Sequence, residues 1–223
     1  MFVGHYSVSF AARSTSVSLP LWVWFVAVQW LDVVFMTLVF AGVEKLRLTP
    51  GFTESNALDL YYMPYSHGLV GALVLSGVFA AIVAAVFPAA RSALGFGLVA
   101  LASFSHWLLD LLMHTPDMPL LGDDSTKVGL GLWDHVAIGF TLELVLLGLA
   151  MVLYARSVEL VGQSGRIILV AFFAFMAAAQ VYGTFGPTPG SNEEFAGSAL
   201  AGYVLLAALA AWVERRAVGT HAR

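Results

Sequence analysis

The most regular feature of the chain is a series of long apolar stretches separated by shorter polar segments. A helix needs about 20 predominantly apolar residues to cross the hydrocarbon core of a bilayer. Six stretches approach that length: Leu19–Ala41, His67–Phe87, Ala93–Met113, Val136–Tyr154, Ile167–Tyr182 and Phe195–Trp212. The pattern predicts an all-α fold, a helical bundle of about six transmembrane helices, with residues 1–223 forming a single transmembrane helical domain.

Composition supports a bilayer as the surroundings of this bundle. Of the 223 residues, 60% are hydrophobic and 11% are charged, which is too little charge to cover a soluble domain of this length. The absence of cysteine excludes disulfides and thiolate ligands, and leaves any metal to nitrogen and oxygen donors. The net charge of −4 and the scattered basic residues give no footprint for nucleic-acid binding.

The distribution of basic residues predicts an orientation. If the chain starts on the cytoplasmic side, seven basic residues lie inside and three outside, in agreement with the positive-inside rule. The inner ones are Arg13, Arg91, Arg156, Arg166, Arg215, Arg216 and Arg223, and the outer ones are Lys45, Arg47 and Lys127. This arrangement predicts a multi-pass protein with both termini cytoplasmic and an outward loop between His114 and His135.

Ionisable residues within the apolar stretches concentrate at one depth. At about 1.5 Å per helical residue, side chains from four predicted helices fall in the outer leaflet. They are Asp32, His67, His106, Asp110, His114, His135 and Glu143. Since a charged side chain inside a membrane costs several kcal/mol, such residues need a partner, water or a metal.

The densest part of this group is the segment SHWLLDLLMH, in which His106, Asp110 and His114 recur at every fourth position. That spacing places the three side chains along one helix face. Histidine and aspartate one turn apart either bind one metal or orient each other. We therefore predict a metal site, with the remaining carboxylates Glu143 and Asp117 as general base or acid. Gln29, one turn before Asp32, is predicted to orient that carboxylate.

Each part of the pattern also has a simpler interpretation. A single histidine and aspartate one turn apart are usually hydrogen-bonded, and His67 or His135 alone would be an interfacial residue with a wet edge. Glu143 alone could pair with a neighbouring helix. The convergence of all of them at one depth is what favours a metal site.

Four segments resemble a bacterial family of multi-pass membrane proteins described as membrane-bound, metal-dependent hydrolases of unknown substrate. The segments are GHYSVSFAAR, AVQWLDVVF, LDLYYMPYSHGL and SHWLLDLLMHTPDMPL, within the first two-thirds of the chain. The resemblance implies an inner-membrane location and matching polar positions at His5, Asp32, His67, His106 and Asp110, followed by His114 and Asp117. His5 reaches the other residues only if residues 2–12 form a short inserted helix.

The order of these residues is also similar to that of the ligands in soluble zinc-dependent phospholipases C and related nucleases. In that order, His5, Asp32, His67, His106, Asp110, His114 and His135 stand where those enzymes have metal ligands. The similarity ends at the last motif, because Gly139 occupies the position of its acid. A count of three metals is therefore not carried over.

The function predicted from these features is membrane-embedded, metal-dependent hydrolysis. Histidine ligands favour zinc, and the carboxylates leave manganese or iron open. A site in the outer leaflet suggests an amphiphilic substrate, a lipid-like ester or phosphoester. The alternatives are a divalent-metal or proton transporter, and a non-catalytic scaffold whose polar cluster joins helices.

Overall fold

A computed structural model of the chain describes residues 1–219 as a bundle of helices. Six helices are long and apolar enough to cross a membrane, which confirms the predicted all-α membrane bundle. They are α2 (Leu21–Phe40), α3 (Leu69–Val86), α4 (Ala93–Met113), α5 (Val136–Ser157), α6 (Gly162–Phe185) and α7 (Asn192–Ala217), preceded by the short α1 (Tyr6–Arg13).

Helix boundaries follow the apolar stretches, and the largest differences are in α6 and α7, which are 24 and 26 residues long. The helix α4 has the predicted ends, whereas the fifth stretch, predicted as the shortest, lies in the 24-residue helix α6. Its extra first turns carry Gln163, Ser164 and Arg166, which continue a helix although they are polar. Hydropathy marks the part of a helix that lies in hydrocarbon, and helices extend beyond it into the interface.

The short helix α1 is inserted into the bundle, as the position of His5 required. It follows a 3₁₀ turn at Val3–His5 and packs against α2 and α5. The Tyr6 ring lies 4.6 Å from that of Phe25, and the Phe10 ring lies 5.4 Å from that of Tyr154. The aromatic contacts bury α1 completely on these faces, so its backbone is shielded from lipid by protein.

The bundle has two different ends, which we call the site end and the opposite end. The site end contains the first residues of α3, α5 and α7 and the last residues of α2, α4 and α6. At the opposite end, Glu214 of α7 pairs with Arg13 and accepts a hydrogen bond from the backbone N–H of Leu21. One carboxylate thus joins the end of α1 to the start of α2.

The two ends of the described chain lie at different levels of the bundle. Met1 is buried near the site end, with its α-amino nitrogen 2.7 Å from Oδ1 of Asp110. Gly219 follows α7 at the opposite end. The side of the membrane that each terminus faces stays a prediction.

Two small hairpins cover the site end. Strand β1 (Lys45–Leu48) pairs antiparallel with β2 (Leu58–Tyr62), and β3 (Met118–Pro119) pairs antiparallel with β4 (Lys127–Val128). The second hairpin lies in the loop predicted between His114 and His135. Both hairpins join helix ends around the polar cluster and hold the residues that follow.

Candidate metal centre

His67 is held in place by a chain of hydrogen bonds that ends at a buried carboxylate. Its Nδ1 lies 2.8 Å from Oγ of Ser66, and the Ser66 hydroxyl donates to Oε2 of Glu44 over 2.6 Å. Glu44 is 1% exposed and also accepts from the backbone N–H groups of Tyr65 and Ser66. Because the Ser66 proton is committed to Glu44, Nδ1 of His67 donates to Ser66 and Nε2 is free to bind a metal.

His106 is oriented in the same sense by a different partner. Its Nδ1 lies 2.7 Å from the backbone carbonyl oxygen of Val28 on α2, so Nδ1 carries the proton. Its Nε2 is fully buried and faces the Asp110 carboxylate rather than a backbone or hydroxyl group. A metal ion bound between this nitrogen and the carboxylate would satisfy both groups.

His114, about two helical turns after His106, is oriented in the same way through its Nδ1. Its Nδ1 lies 2.9 Å from Oδ1 of Asp117, while Oδ2 of Asp117 accepts a hydrogen bond from the Thr115 hydroxyl. The Trp133 ring covers the imidazole at 4.2 Å. Three histidines thus have Nδ1 engaged by an acceptor, the usual outer support of metal-binding imidazoles.

The free Nε2 atoms converge on two carboxylates. Nε2 of His106 lies 3.0 Å from Oδ2 of Asp110 and 3.5 Å from Oδ1 of Asp32, and the corresponding distances for His67 are 3.6 and 3.4 Å. Two ligands at about 2 Å from a tetrahedral metal are about 3.3 Å apart. The observed separations are therefore short enough for these atoms to bind one ion.

The donor atoms form two overlapping triads, one of Asp32, His67 and His106 and one of His5, His106 and Asp110. Both triads are made of buried or half-buried residues, and either could hold a metal ion. Because Nδ1 of His106 is used by Val28, His106 contributes one donor atom and cannot bind separate ions in both triads at once.

His5 reaches this centre because α1 enters the bundle beside α4. Its Nε2 lies 3.1 Å from Oδ1 of Asp110, and its ring stacks on that of His106 at 3.8 Å and 8°. His5 ends the 3₁₀ turn before α1, and its contacts with Asp110 and His106 follow from the insertion of this segment into the bundle.

Glu143 of α5 holds the backbone that carries His5. Its Oε2 accepts hydrogen bonds from the N–H groups of Phe2 at 2.7 Å and Gly4 at 3.1 Å. Gln180 of α6 adds a longer contact to the N–H of Val3. The predicted general base is thus 3% exposed at the edge of the centre, with one oxygen occupied by two backbone donors.

The remaining predicted site residues separate into two cases. Asp117 contacts the site through His114, and His114 itself lies at its margin, with Nε2 3.6 Å from Oδ2 of Asp110. His135 is not brought to the cluster: it is exposed and caps α5, where its carbonyl oxygen accepts from Ile138 and Gly139. Sequence depth places a residue at a level of the membrane but does not give the direction of its side chain.

Three supporting residues were missed by sequence reasoning. Glu44 and Ser66 form the chain behind His67, and the Tyr203 hydroxyl of α7 donates to Oδ2 of Asp32 at 2.8 Å, a role predicted for Gln29. The position of Ser66 directly before His67 in the sequence could have indicated its supporting role. Glu44 precedes Lys45 in a polar segment and Tyr203 lies in an apolar stretch without other polar features, so the sequence did not indicate a role for either residue.

The charges around the centre favour protonated imidazoles until a metal competes. Burial alone would lower the pKa of His67, but the Asp110 and Asp32 carboxylates outweigh burial and raise this pKa to about 9. Burial likewise opposes protonation of His114, whose pKa is raised by Asp110 and Asp117. The protons balance buried negative charge that a bound cation would balance instead.

A cavity of about 390 Å³ opens onto the cluster. The polar side chains on its wall include Asp32, His67, Asp110, His114, Glu143, Gln180 and Tyr203, and most of the other walls are apolar. The volume is within the range of small-molecule sites. The arrangement can hold a cation and place a small polar group beside it.

Comparisons with protein-family models, with curated proteins and with solved structures gave no match to this chain.

Proposed function

We propose that the protein is a membrane-embedded, metal-dependent hydrolase with zinc as its ion. The observation that carries the proposal is the shared orientation of His67, His106 and His114. Each has Nδ1 bound to an acceptor and Nε2 directed at the buried carboxylates. Imidazole nitrogens with carboxylate oxygens form a donor set that suits zinc, and also manganese or iron.

The roles of the protein groups follow from their partners. When bound, a zinc ion lowers the pKa of water and polarises a carbonyl or phosphoryl oxygen. His114 lies outside both candidate metal triads, lines the cavity and is paired with Asp117, so it is placed to accept and return a proton rather than to bind the metal. Asp117 acts through His114, and Glu143 positions the His5 segment, in place of the direct acid–base roles predicted for them.

The proposed substrate is a lipid-like ester or phosphoester. Asp110 lies three residues before the end of α4, about 5 Å from it, so the site lies just below the level of the helix ends. A scissile bond beside a lipid headgroup would reach this depth. With the basic-residue pattern, the proposal includes a bacterial inner membrane as the location and its outer leaflet as the source of substrate.

The rival functions account less well for these contacts. A transporter for metal or protons needs polar groups at successive depths. At the opposite end, however, the described core around Phe10, Phe25 and Phe172 is aromatic. A scaffold needs only pairwise hydrogen bonds between helices, whereas the Nε2 atoms of His67 and His106 converge on the same two carboxylates.

The test combines metal analysis with hydrolysis by the purified protein. Wild type is expected to bind zinc stoichiometrically and to release phosphate or fatty acid from lipid esters, and Asp110→Asn is expected to lose both. Asp123→Asn is the matched control, because Asp123 pairs with Lys127 in the β3–β4 hairpin and should retain both. Full metal binding by Asp110→Asn, or a wild type that binds no metal after reconstitution, would reject the proposal.

A further inference from the structure

The cavity at the candidate metal centre lies between the site-end parts of α6 and α7, which contact each other at the opposite end. At the opposite end, α6 and α7 are in close contact, since a Cβ atom on Gly165 would stand 2.6 Å from the carbonyl oxygen of Ala217. At the site end, residues of both helices line the cavity instead, among them Ala179, Gly183, Ala199 and Gly202. The two helices therefore enclose a space toward the site end.

This space is open on the side of the bundle. Tyr182 and Gly183 of α6 and Ser198 of α7 line the cavity and are exposed, Tyr182 to 68%. All three belong to helices that are long and apolar enough to cross a membrane. Ser198 is six residues inside α7, about 9 Å from its start. The opening between these residues therefore lies within the apolar spans and continues to the loop residues Asn56 and Pro187, which also line the cavity.

The cavity combines one polar cluster with walls that are largely apolar. The polar atoms of Asp32, Asp110 and His114 are at one end. The apolar walls are formed by Phe35, Met36, Leu58, Leu60, Met113, Phe140, Phe195 and Ala199. Leu58 and Leu60 belong to β2, so the hairpin adds apolar side chains on the side of the loops. A ligand that matches these walls has a polar head and a hydrocarbon chain.

We propose that the cavity binds one single-chain phosphate ester that enters sideways from the bilayer between α6 and α7. Its phosphate would lie at the His/Asp cluster and its alkyl chain would extend past Ala199 and Gly202 toward the opening. The choice of a phosphate head rests on the proposed metal site, because a zinc ion held there would attract phosphoryl oxygens. The path of the chain rests on the apolar walls and the opening alone.

Gly202 offers a way to block this path without disturbing packing. A Cβ atom at Gly202 meets no heavy atom within 4 Å, so a larger side chain would grow into the cavity. Gly77 of α3 is a matched control, since it is also a helical glycine with no neighbour within 4 Å and does not line the cavity. Gly202→Leu and Gly77→Leu therefore change the same atoms inside and outside the proposed path.

The experiment is photo-crosslinking of the full chain in phosphatidylglycerol nanodiscs with hexadecyl phosphate that carries a diazirine on its chain. Mass spectrometry of wild type and Gly77→Leu is expected to find label at residues 179–183 and 198–203, displaced by unlabelled hexadecyl phosphate and not by ethyl phosphate. Because the leucine side chain would occupy space that the alkyl chain needs, Gly202→Leu should reduce this label by about tenfold. Ala199→Leu is a second blocking variant if Gly202→Leu does not yield folded protein.

The outcomes separate this proposal from the hydrolase function. Label on the lipid-facing surface alone, equal label in Gly202→Leu, or displacement by ethyl phosphate would overturn the path between α6 and α7. The experiment is run with zinc and with a chelator. Label that Gly202→Leu removes in both conditions, from a protein without metal or activity, would support the path while rejecting the hydrolase. Metal and hydrolysis without cavity label would do the reverse.

Discussion

The two ends of this bundle are built from the same helices and differ completely in chemistry. At the site end, α1 contributes His5, α2 contributes Asp32 and α4 contributes His106 and Asp110 to one cluster. At the opposite end, the same α1 and α2 contribute Phe10 and Phe25, which pack on Tyr154 and Phe172 of α5 and α6. In these helices, the residues at the site end position the candidate ligands, and the residues at the opposite end pack the helices against one another.

The difference between the two ends explains how a polar cluster is held rigid inside an apolar bundle. Aromatic packing at the opposite end fixes the helices against one another, because well-packed interiors resist small displacements. The donor atoms at the site end then need only local hydrogen bonds to set their final geometry. If this division is correct, substitutions at the two ends should affect metal affinity and folding stability separately.

The largest difference in zinc affinity is expected between variants of two glutamates, one at each end of the bundle. Glu44→Ala removes the acceptor behind Ser66 and His67, and loss of such outer partners typically weakens metal binding about 10- to 100-fold. Glu214→Ala removes the anchor of Arg13 and Leu21 at the opposite end. It should lower the thermal unfolding temperature and leave metal affinity unchanged. Competition titration with a zinc chelator measures the affinities, and equal zinc affinities in the two variants would refute the division.

A second prediction concerns the pH dependence of zinc affinity at the site end. In the protein without metal, the pKa of His67 near 9 means that His67 is protonated at neutral pH, so a metal must displace this proton. Zinc affinity should therefore rise by about tenfold per pH unit toward pH 9. Affinity independent of pH between neutrality and that value would show that His67 is not a ligand. His67→Ala, with weaker binding and a smaller slope, is the control.

The smallest change in zinc affinity is expected from variants of the segment that joins His5 to the cluster. Glu143→Ala releases the N–H groups of Phe2 and Gly4, so His5 should lose its fixed position, and affinity should fall by about tenfold or less. His5→Ala should have a similar effect, and the double variant should be no weaker than either single one. Cobalt substitution adds a spectroscopic check, since both variants should change the visible spectrum alike.

Additive effects in this double-mutant cycle would instead give Glu143 an independent role at the centre. Such a result would return it to the acid–base role predicted from the sequence. The cycle thus separates a residue that positions another from one that contacts the reacting groups.

Much of the architecture was predictable because it depends on local composition. Apolar stretches of helix length identified the six long helices, and the fourfold spacing of His106, Asp110 and His114 placed them on one face. Loop residues were less predictable. His135 lies at the predicted level but away from the cluster, and Glu44 is buried behind His67 although it directly precedes the charged Lys45.

The sequence by itself determined that this chain forms a membrane bundle with histidines and carboxylates at one depth, because hydropathy and helical rise depend only on the order of residues. Only the tertiary structure decided which nitrogen of each histidine is free, that α1 brings His5 to Asp110, and that α6 and α7 enclose a cavity. These features depend on contacts between residues up to 177 positions apart, as between Val3 and Gln180, and neither spacing nor composition encodes them.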